Sequence, residues 1–204
     1  MPRLSRLQQT ERNRDLVLAA ARRVFLGAGY HGASLDQIAD EAGFSKGVVY
    51  SQFGSKADLF FALLDARIDE RAAANVKLAA RYKGRRGVAA MFAAAAQVDG
   101  ADPAWTRLVI EFRVHAARNP DLNRRYAAAH ERTLAGIASV IEAICARGGE
   151  KPAFPPRDMA EAMLAMANGT TLERAANPNA IGNRMIATLL ERWVSPKSDG
   201  EQRT

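Results

Sequence analysis

Apolar residues recur every three or four positions in segment after segment of the chain, alanine is abundant and β-branched runs are scarce. That period gathers the apolar side chains of each segment onto one side of a helix. Leu16, Ala20 and Val24, with Val17, Ala21 and Phe25, mark a first helix over residues 11–26, which Gly27 and Gly29 end. Leu35, Ile38, Ala39 and Ala42 stand at i, i+3, i+4 and i+7 in a short second helix, and Val49 and Phe53 give the buried side of a third. A long helix opens at Ser55 and carries Leu59, Phe60, Leu63, Leu64 and Ile68 toward Arg81. Gly84 and Gly87 bracket a turn before the stripe Val88, Met91, Phe92 and Ala95. Asp102-Pro103 and Asn119-Pro120 each join a capping side chain to a proline suited to the first helical position. Behind them run Trp105, Leu108, Val109 and Phe112, then Leu122, Tyr126, Ala129, Ile137, Ile141 and Ile144 down to Gly148-Gly149. A proline-rich loop (Pro152, Pro155, Pro156) leads to a last pair over residues 157–176 and 179–194, divided by Asn177-Pro178. The pattern predicts an all-α chain of about nine helices, without internal repeats and with a frayed tail over 195–204.

Residues 34–60, S-L-D-Q-I-A-D-E-A-G-F-S-K-G-V-V-Y-S-Q-F-G-S-K-A-D-L-F, carry more than periodicity. Ser34 with Gln37 three places on is a capping-box pair, so a helix starts there. Gly43 supplies the left-handed backbone at which that helix stops, and Ser45 can cap the next one. Ala39 is small, as a close helix crossing requires. Two short helices about a tight turn, followed at once by a third, make a helix-turn-helix DNA reader. Opposite the Val49/Phe53 side, at about 100° per residue, lie Gly47 and Ser51 with Val48 beside them. An outward glycine and valine serve solubility poorly. They suit a helix in a major groove, where Gly47 lets the backbone approach closely and Val48 can touch a thymine methyl. Ser51 and Gln52 can reach base edges or phosphates. Lys46 stands at the helix start, where recognition helices meet DNA, and Lys56, in the first turn after the Ser55 cap, is placed for a phosphate. Plain helix packing is the competing reading of the bare two-helix pattern.

The full spacing narrows the choice. S-x-x-x-I-A-x-x-A-G-x-S-x-G-x-x-Y-x-x-F-x-x-K-x-x-L is carried here by Ser34, Ile38, Ala39, Ala42, Gly43, Ser45, Gly47, Tyr50, Phe53, Lys56 and Leu59. It resembles the DNA-binding signature of the TetR (tetracycline-repressor-like) family of bacterial regulators. The resemblance implies that the helix from Ser45 to Phe53 reads the major groove and that Ser34, Tyr50 and Lys56 contact phosphates. Phe44 stands where the family more often has a small aliphatic residue. Positions 51 and 52 vary across the family, so Ser51 and Gln52 do not give the operator sequence.

The same resemblance implies a homodimer that forms a four-helix bundle from its last two helices. Ile186, Leu189, Leu190 and Trp193 are the candidate stripe, with a second along Met159, Met163, Met166 and Thr170. It further implies an effector cavity, for which Leu64, Ile68, Phe92, Trp105, Leu108, Phe112, Met163 and Met166 are candidate walls and Glu111, His115, Asn168 or Thr170 candidate polar anchors. Methionine re-packs readily, so these side chains can line a cavity or fill a dry core. The expected organisation is a helix-turn-helix DNA-binding domain over 1–54 and an effector-binding and dimerisation domain over 55–204. The expected function is ligand-responsive regulation, as a repressor released from a pseudo-palindromic duplex operator by a hydrophobic or amphipathic small molecule. A DNA-binding regulator without an effector is the alternative, and a helical enzyme or carrier the remote one.

Charge changes this picture little. The net charge is +7 with a pI near 10.0, but residues 1–60 contribute only +2 of it. Arg3, Arg6, Arg12 and Arg14 form a basic arm able to follow a DNA backbone, with a solvated tail as the competing reading of residues 1–8. Asp36, Asp40 and Glu41 are expected to face away from DNA. Arg81, Lys83, Arg85 and Arg86 read as a solvated loop between helices. With 48% hydrophobic residues in 204, the chain can bury a proper core. One cysteine, Cys145, suits a reducing cytosol and reads as a small core residue. The N-terminus has no apolar leader segment and no run reaches 18 apolar residues, so a cytoplasmic protein with no membrane partner is expected. His31, His115 and His130 are scattered, and H-E-x-x-H, C-x-x-C, G-x-S-x-G and phosphate-cradling glycine loops are missing. No catalytic residue, metal or cofactor is expected. Glu111 and His115, at i and i+4, read first as a hydrogen-bonded pair on a helix surface.

Overall fold

The computed structural model describes residues 5–98, 103–152 and 154–180, with Met185 and Thr188 as isolated helical positions. Among the described residues there are eight helices and no strand. They are α1 (Arg6–Gly32), α2 (Leu35–Ala42), α3 (Lys46–Phe53), α4 (Lys56–Arg81), α5 (Gly84–Val98), α6 (Pro103–Ala116), α7 (Pro120–Arg147) and α8 (Pro156–Ala176). The ninth expected helix, over 179–194, falls almost wholly outside the described residues.

The caps explain most of these boundaries. Ser34 and Gln37 form the expected capping box at the head of α2. Asn119 Oδ1 accepts from the Asp121 and Leu122 amides at the head of α7. α1 departs from expectation at both ends. It starts at Arg6, because Ser5 and Gln8 make a capping box of their own. It also runs past Gly27, and only Gly29, at φ 73° and ψ 174°, interrupts it. Within α1 the buried face is Val17, Ala20, Ala21 and Phe25, whereas Leu16 lies outside it and is exposed. The turn expected around Gly84 and Gly87 is shorter than supposed. Only Tyr82 and Lys83 separate α4 from α5, and Gly87 lies inside α5. A Cβ at Gly87 would come within 2.9 Å of Ile144 Cγ2, so this glycine serves close approach to α7. Arg85 belongs to the first turn of α5, and its amide and guanidinium both donate to Glu150, which corrects its reading as part of a solvated loop.

The helices divide into two compact units. The first gathers residues up to Ile68 with Leu108–Ala129, so the start of α4 and much of α6 group with the helix-turn-helix. Its centre is aromatic. Phe60 and Phe112 stack at 3.9 Å between ring centroids, and Phe25, Tyr30 and Phe61 close around them edge-on or stacked. The second unit, Asp69–Arg107 with the chain from His130 on, is aliphatic at its core. There Val88, Met91, Leu134, Val140, Ile141, Ile144, Cys145 and Met159 are buried together. Cys145 is thus the core residue it was expected to be. No helix of the described residues is long and apolar enough to cross a membrane.

One ion pair in the first unit titrates. Asp58 at the head of α4 bonds the Ser55 hydroxyl and pairs with Arg125 of α7 at 2.8 Å. The Ser55 bond first, then Arg125, hold its carboxyl below the usual carboxylate range. A depressed acid contributes stability above its unfolded pKa, about 3.9, and loses it as pH falls through the folded value. Asp58→Asn should therefore lower the melting temperature at pH 6–7, with the gap to wild type closing as pH falls below the usual carboxylate range and through the folded pKa. Thermal melts across that range check this; an equal gap at both ends would assign the effect to packing instead.

Candidate nucleic-acid interface

α2 and α3 form the reader. Leu35, Ile38 and Ala39 of α2 and Val49 and Phe53 of α3 are buried, as their spacing required. Gly43 turns the chain between them at φ 73° and ψ 27°, and the Phe44 amide donates back to the Ala39 carbonyl across the turn. α3 thereby presents the opposite side outward. Lys46, Gly47, Tyr50 and Ser51 are exposed, and Tyr50 shows 49% of its surface. Val48 and Gln52 are half-buried at the edges of that face. Nothing stands within 4 Å of a Cβ built on Gly47 except the Ser45 hydroxyl at the limit, so its surface is open to a backbone or base edge.

Several side chains do something the sequence did not announce. Ser45 occupies the N-cap of α3 but makes no side-chain cap bond, in contrast to Ser34. The first amides of α3 thus keep their donor capacity, the arrangement that receives a phosphate. Lys46 pairs with Asp36 of α2, which places Asp36 beside the reading helix and not away from it. That bond holds the Lys46 ammonium above its ordinary range. Glu41 does turn away, to Arg23 of α1 at 2.7 Å. Ser51 donates its hydroxyl to the Val48 carbonyl and keeps lone pairs outward. The Gln52 Oε1 is shielded without a hydrogen-bond partner. An orphaned amide oxygen of this kind gains by turning toward a donor such as an adenine amino group.

Lys56 has partners within the fold. Its ammonium donates to the carbonyls of Tyr30 (2.8 Å) and Ala33 (2.9 Å), with His31 at 3.4 Å, and lies 4.7 Å from the Tyr30 ring centroid. Burial pulls its pKa below the ordinary lysine value. In this arrangement it ties α4 to the last turn of α1, and a phosphate would share it with those carbonyls. Arg14, singled out only for its charge, lies with its guanidinium 4.7 Å from the Phe53 ring centroid and so braces the end of α3.

The remaining candidates divide between the units. Leu64, Leu108 and Phe112 are buried in the first unit and Ile68 is half-buried there. Phe112 is fully buried in the aromatic cluster. Trp105, Met163 and Met166 are half-buried in the second unit, where the two methionines pack on the aliphatic core. The Phe92 side chain and Ile186, Leu189, Leu190 and Trp193 lie outside the described residues. Glu111 does not form the expected surface pair with His115 as its main engagement; its carboxylate receives the Tyr30 and His31 amides.

Residues 17–63 match the family profile described as bacterial regulatory proteins, tetR family, and residues 84–195 match that of BetI-type transcriptional repressor, C-terminal. The chain belongs to the TetR family. It is similar to the transcriptional activator FasR of Mycolicibacterium smegmatis, 46% identical over 65 residues, which is 32% of this chain and 29% of that protein. The chain thus spans less than a third of FasR's length. It is similar over more of its length to the transcriptional regulator EthR of the same organism, 24% identical over 187 residues, 88% of this chain and 83% of the other. Among solved structures it shares its fold with Bacillus subtilis FadR, solved in complex with stearoyl-CoA, at a TM-score of 0.69 and 16% identity over 88% of this chain and 97% of that one. As a TetR-family regulator the chain has in α2 and α3 its DNA-binding motif.

The Asp36–Lys46 pair sets an electrostatic expectation. A carboxylate beside the reading helix repels phosphate and occupies the nearest cation. Asp36→Asn should tighten binding to duplex DNA of any sequence by roughly two- to fivefold at low salt, with the gain shrinking as salt rises. Fluorescence anisotropy on an arbitrary duplex at two salt concentrations checks it, and unchanged affinity would show that the pair does not compete with DNA.

Proposed function

We propose that this TetR-family protein is a homodimeric repressor that reads a pseudo-palindromic operator through α3 and leaves it when an amphipathic effector binds. The observation that carries the reading is the exposed side of α3, where Gly47, Tyr50 and Ser51 stand outward while Val49 and Phe53 are buried. Val48 and Ser51 are assigned to base edges. Tyr50, Ser34 and the open amides after Ser45 are assigned to phosphates, with Lys46 joining them once it leaves Asp36. One eight-residue reader makes too few contacts for useful specificity, so two act together at half-sites about 34–36 Å apart or a multiple of that. The dimer is assigned to α8 and the segment carrying Ile186, Leu189, Leu190 and Trp193; the exposed Leu172 on α8 supports that face.

Repression is favoured over activation by the BetI-type repressor profile over residues 84–195, although the relative FasR is an activator. Selection from a randomised duplex pool tests the operator reading. The wild type should enrich an inverted repeat, Tyr50→Ala should weaken binding to every sequence, and Ser51→Ala should change the enriched bases without abolishing binding. A pool that returns no repeat would overturn the reading.

The effector is assigned to the amphipathic class, and the stearoyl-CoA in the FadR structure makes a long-chain acyl thioester the first compound to try. Near-complete release needs the ligand to prefer the DNA-free state by about 5 kcal/mol. Linkage requires DNA to weaken ligand binding by the same factor by which ligand weakens DNA binding. Thermal shift with stearoyl-CoA, stearate and free coenzyme A, followed by anisotropy on the selected operator, checks this. Stabilisation by the thioester with matched factors supports it. An absence of any shift, with operator binding intact, would favour a regulator without a small-molecule effector.

A further inference from the structure

The last turn of α1 has both of its ends held from outside the helix. Gly29 breaks α1 at φ 73° and ψ 174°, a backbone region open essentially to glycine alone. Helical geometry resumes through Gly32, so the amides of Tyr30 and His31 stand at a new helix start without the usual partners. Glu111 of α6, some eighty residues away in sequence, receives both. Its Oε2 lies 3.0 Å from the Tyr30 nitrogen and its Oε1 2.9 Å from the His31 nitrogen. At the other end, Lys56 of α4 takes the carbonyls of Tyr30 and Ala33. Anion at the amide end and cation at the carbonyl end match the turn's own dipole. The fit at Gly29 is close, since a Cβ there would stand 2.7 Å from Glu111 Oε2. The Tyr30 ring, edge-on to Phe112 at 4.8 Å, packs the same turn against α6.

This turn leads straight into the reader. The Ala33 amide closes it on the Gly29 carbonyl, and the next residue, Ser34, caps α2. The direction in which α2 and α3 leave is therefore set where Glu111 grips the backbone. We propose that Glu111 is a positioning residue for DNA recognition: by holding the Tyr30 and His31 amides it fixes the angle at which α2 and α3 are presented, and so governs operator binding without touching DNA. The inference rests on the operator reading above. Glu111 supplies no DNA contact, so its loss should spare loose electrostatic binding, which tolerates a misdirected reader, and should harm the seated complex, which does not.

The experiment uses the full-length protein, the operator enriched by the wild type and an arbitrary duplex of equal length. Glu111→Gln keeps the shape but sets an amide NH2 against a backbone donor; Glu111→Ala removes the grip; Gly29→Ala disturbs it from the backbone side. Each should lower operator affinity about tenfold, the order expected for a charge-assisted bond, with affinity for the arbitrary duplex within about twofold. Amide exchange should rise at Tyr30 and His31 in Glu111→Gln while the α3 amides keep their protection, which separates a lost grip from a protein that fails to fold. In the Gly29→Ala/Glu111→Ala double variant the two operator losses should not add, because both act on one contact. Equal losses for operator and arbitrary duplex, additive effects, or unchanged exchange at Tyr30 and His31 would each overturn the proposal. A wild type that enriches no sequence would bring down the operator reading itself, and this inference with it. A wild type that enriches one, beside variants with an unchanged operator-to-arbitrary ratio, would bring down this inference alone.

Discussion

Two helices of eight residues do not stand by themselves in water, where an isolated helix needs about 12–15 residues to be even marginally stable. α2 and α3 exist because longer helices give them something to bury against. Ile38, Ala39 and Val49 lose all contact with solvent, and so do Val17, Ala20, Ala21 and Phe25 of α1, the helix against which α2 packs. The rest of the first unit follows from that dependence. α1 must be long and apolar on one face, its end must be anchored, and α4 must follow within two residues of α3 so that its head can reach back. Ser55, Lys56 and Asp58 perform that return, by capping, by carbonyl binding and by the pair with Arg125.

The parts of this architecture that depend on neighbours in sequence were legible. Capping boxes, glycine stops and apolar spacing act over three to seven residues, so Ser34 with Gln37, Gly43, and the faces of α2 and α3 could be read from the chain, as could the start of α7 at Asn119-Pro120. Ser5 with Gln8 carries the same signal and went unread because the apolar stripe begins later. Contacts over distance left no trace. Glu111 looked like half of a surface pair, since i and i+4 is what a single sequence displays, while its partners lie some eighty residues away. Lys56 and Asp36 show the same limit. A lysine in a first turn and an acid on a nearby helix have many possible neighbours, and the tertiary fold selects among them. Gly87 was misread for a related reason, because a glycine that admits another helix and a glycine that turns the chain look alike until the other helix is in place.

The two units also differ in how they resist deformation. The first is built around rings in mutual edge and face contact, whose preferred geometries are few. The second is built from branched aliphatics with Met91 and Met159 among them and Met163 and Met166 at the margin, and methionine fits irregular space with little penalty. The first core therefore has fewer ways to repack than the second.

That second core holds the chain's one cysteine. Cys145 is about 1% exposed, and burial pushes its thiol above the usual range, so the nucleophilic thiolate is scarce as well as hidden. In the closed fold a thiol reagent therefore has little to attack. Its rate of reaction becomes a clock for how often the second unit opens, built into the native chain without any label.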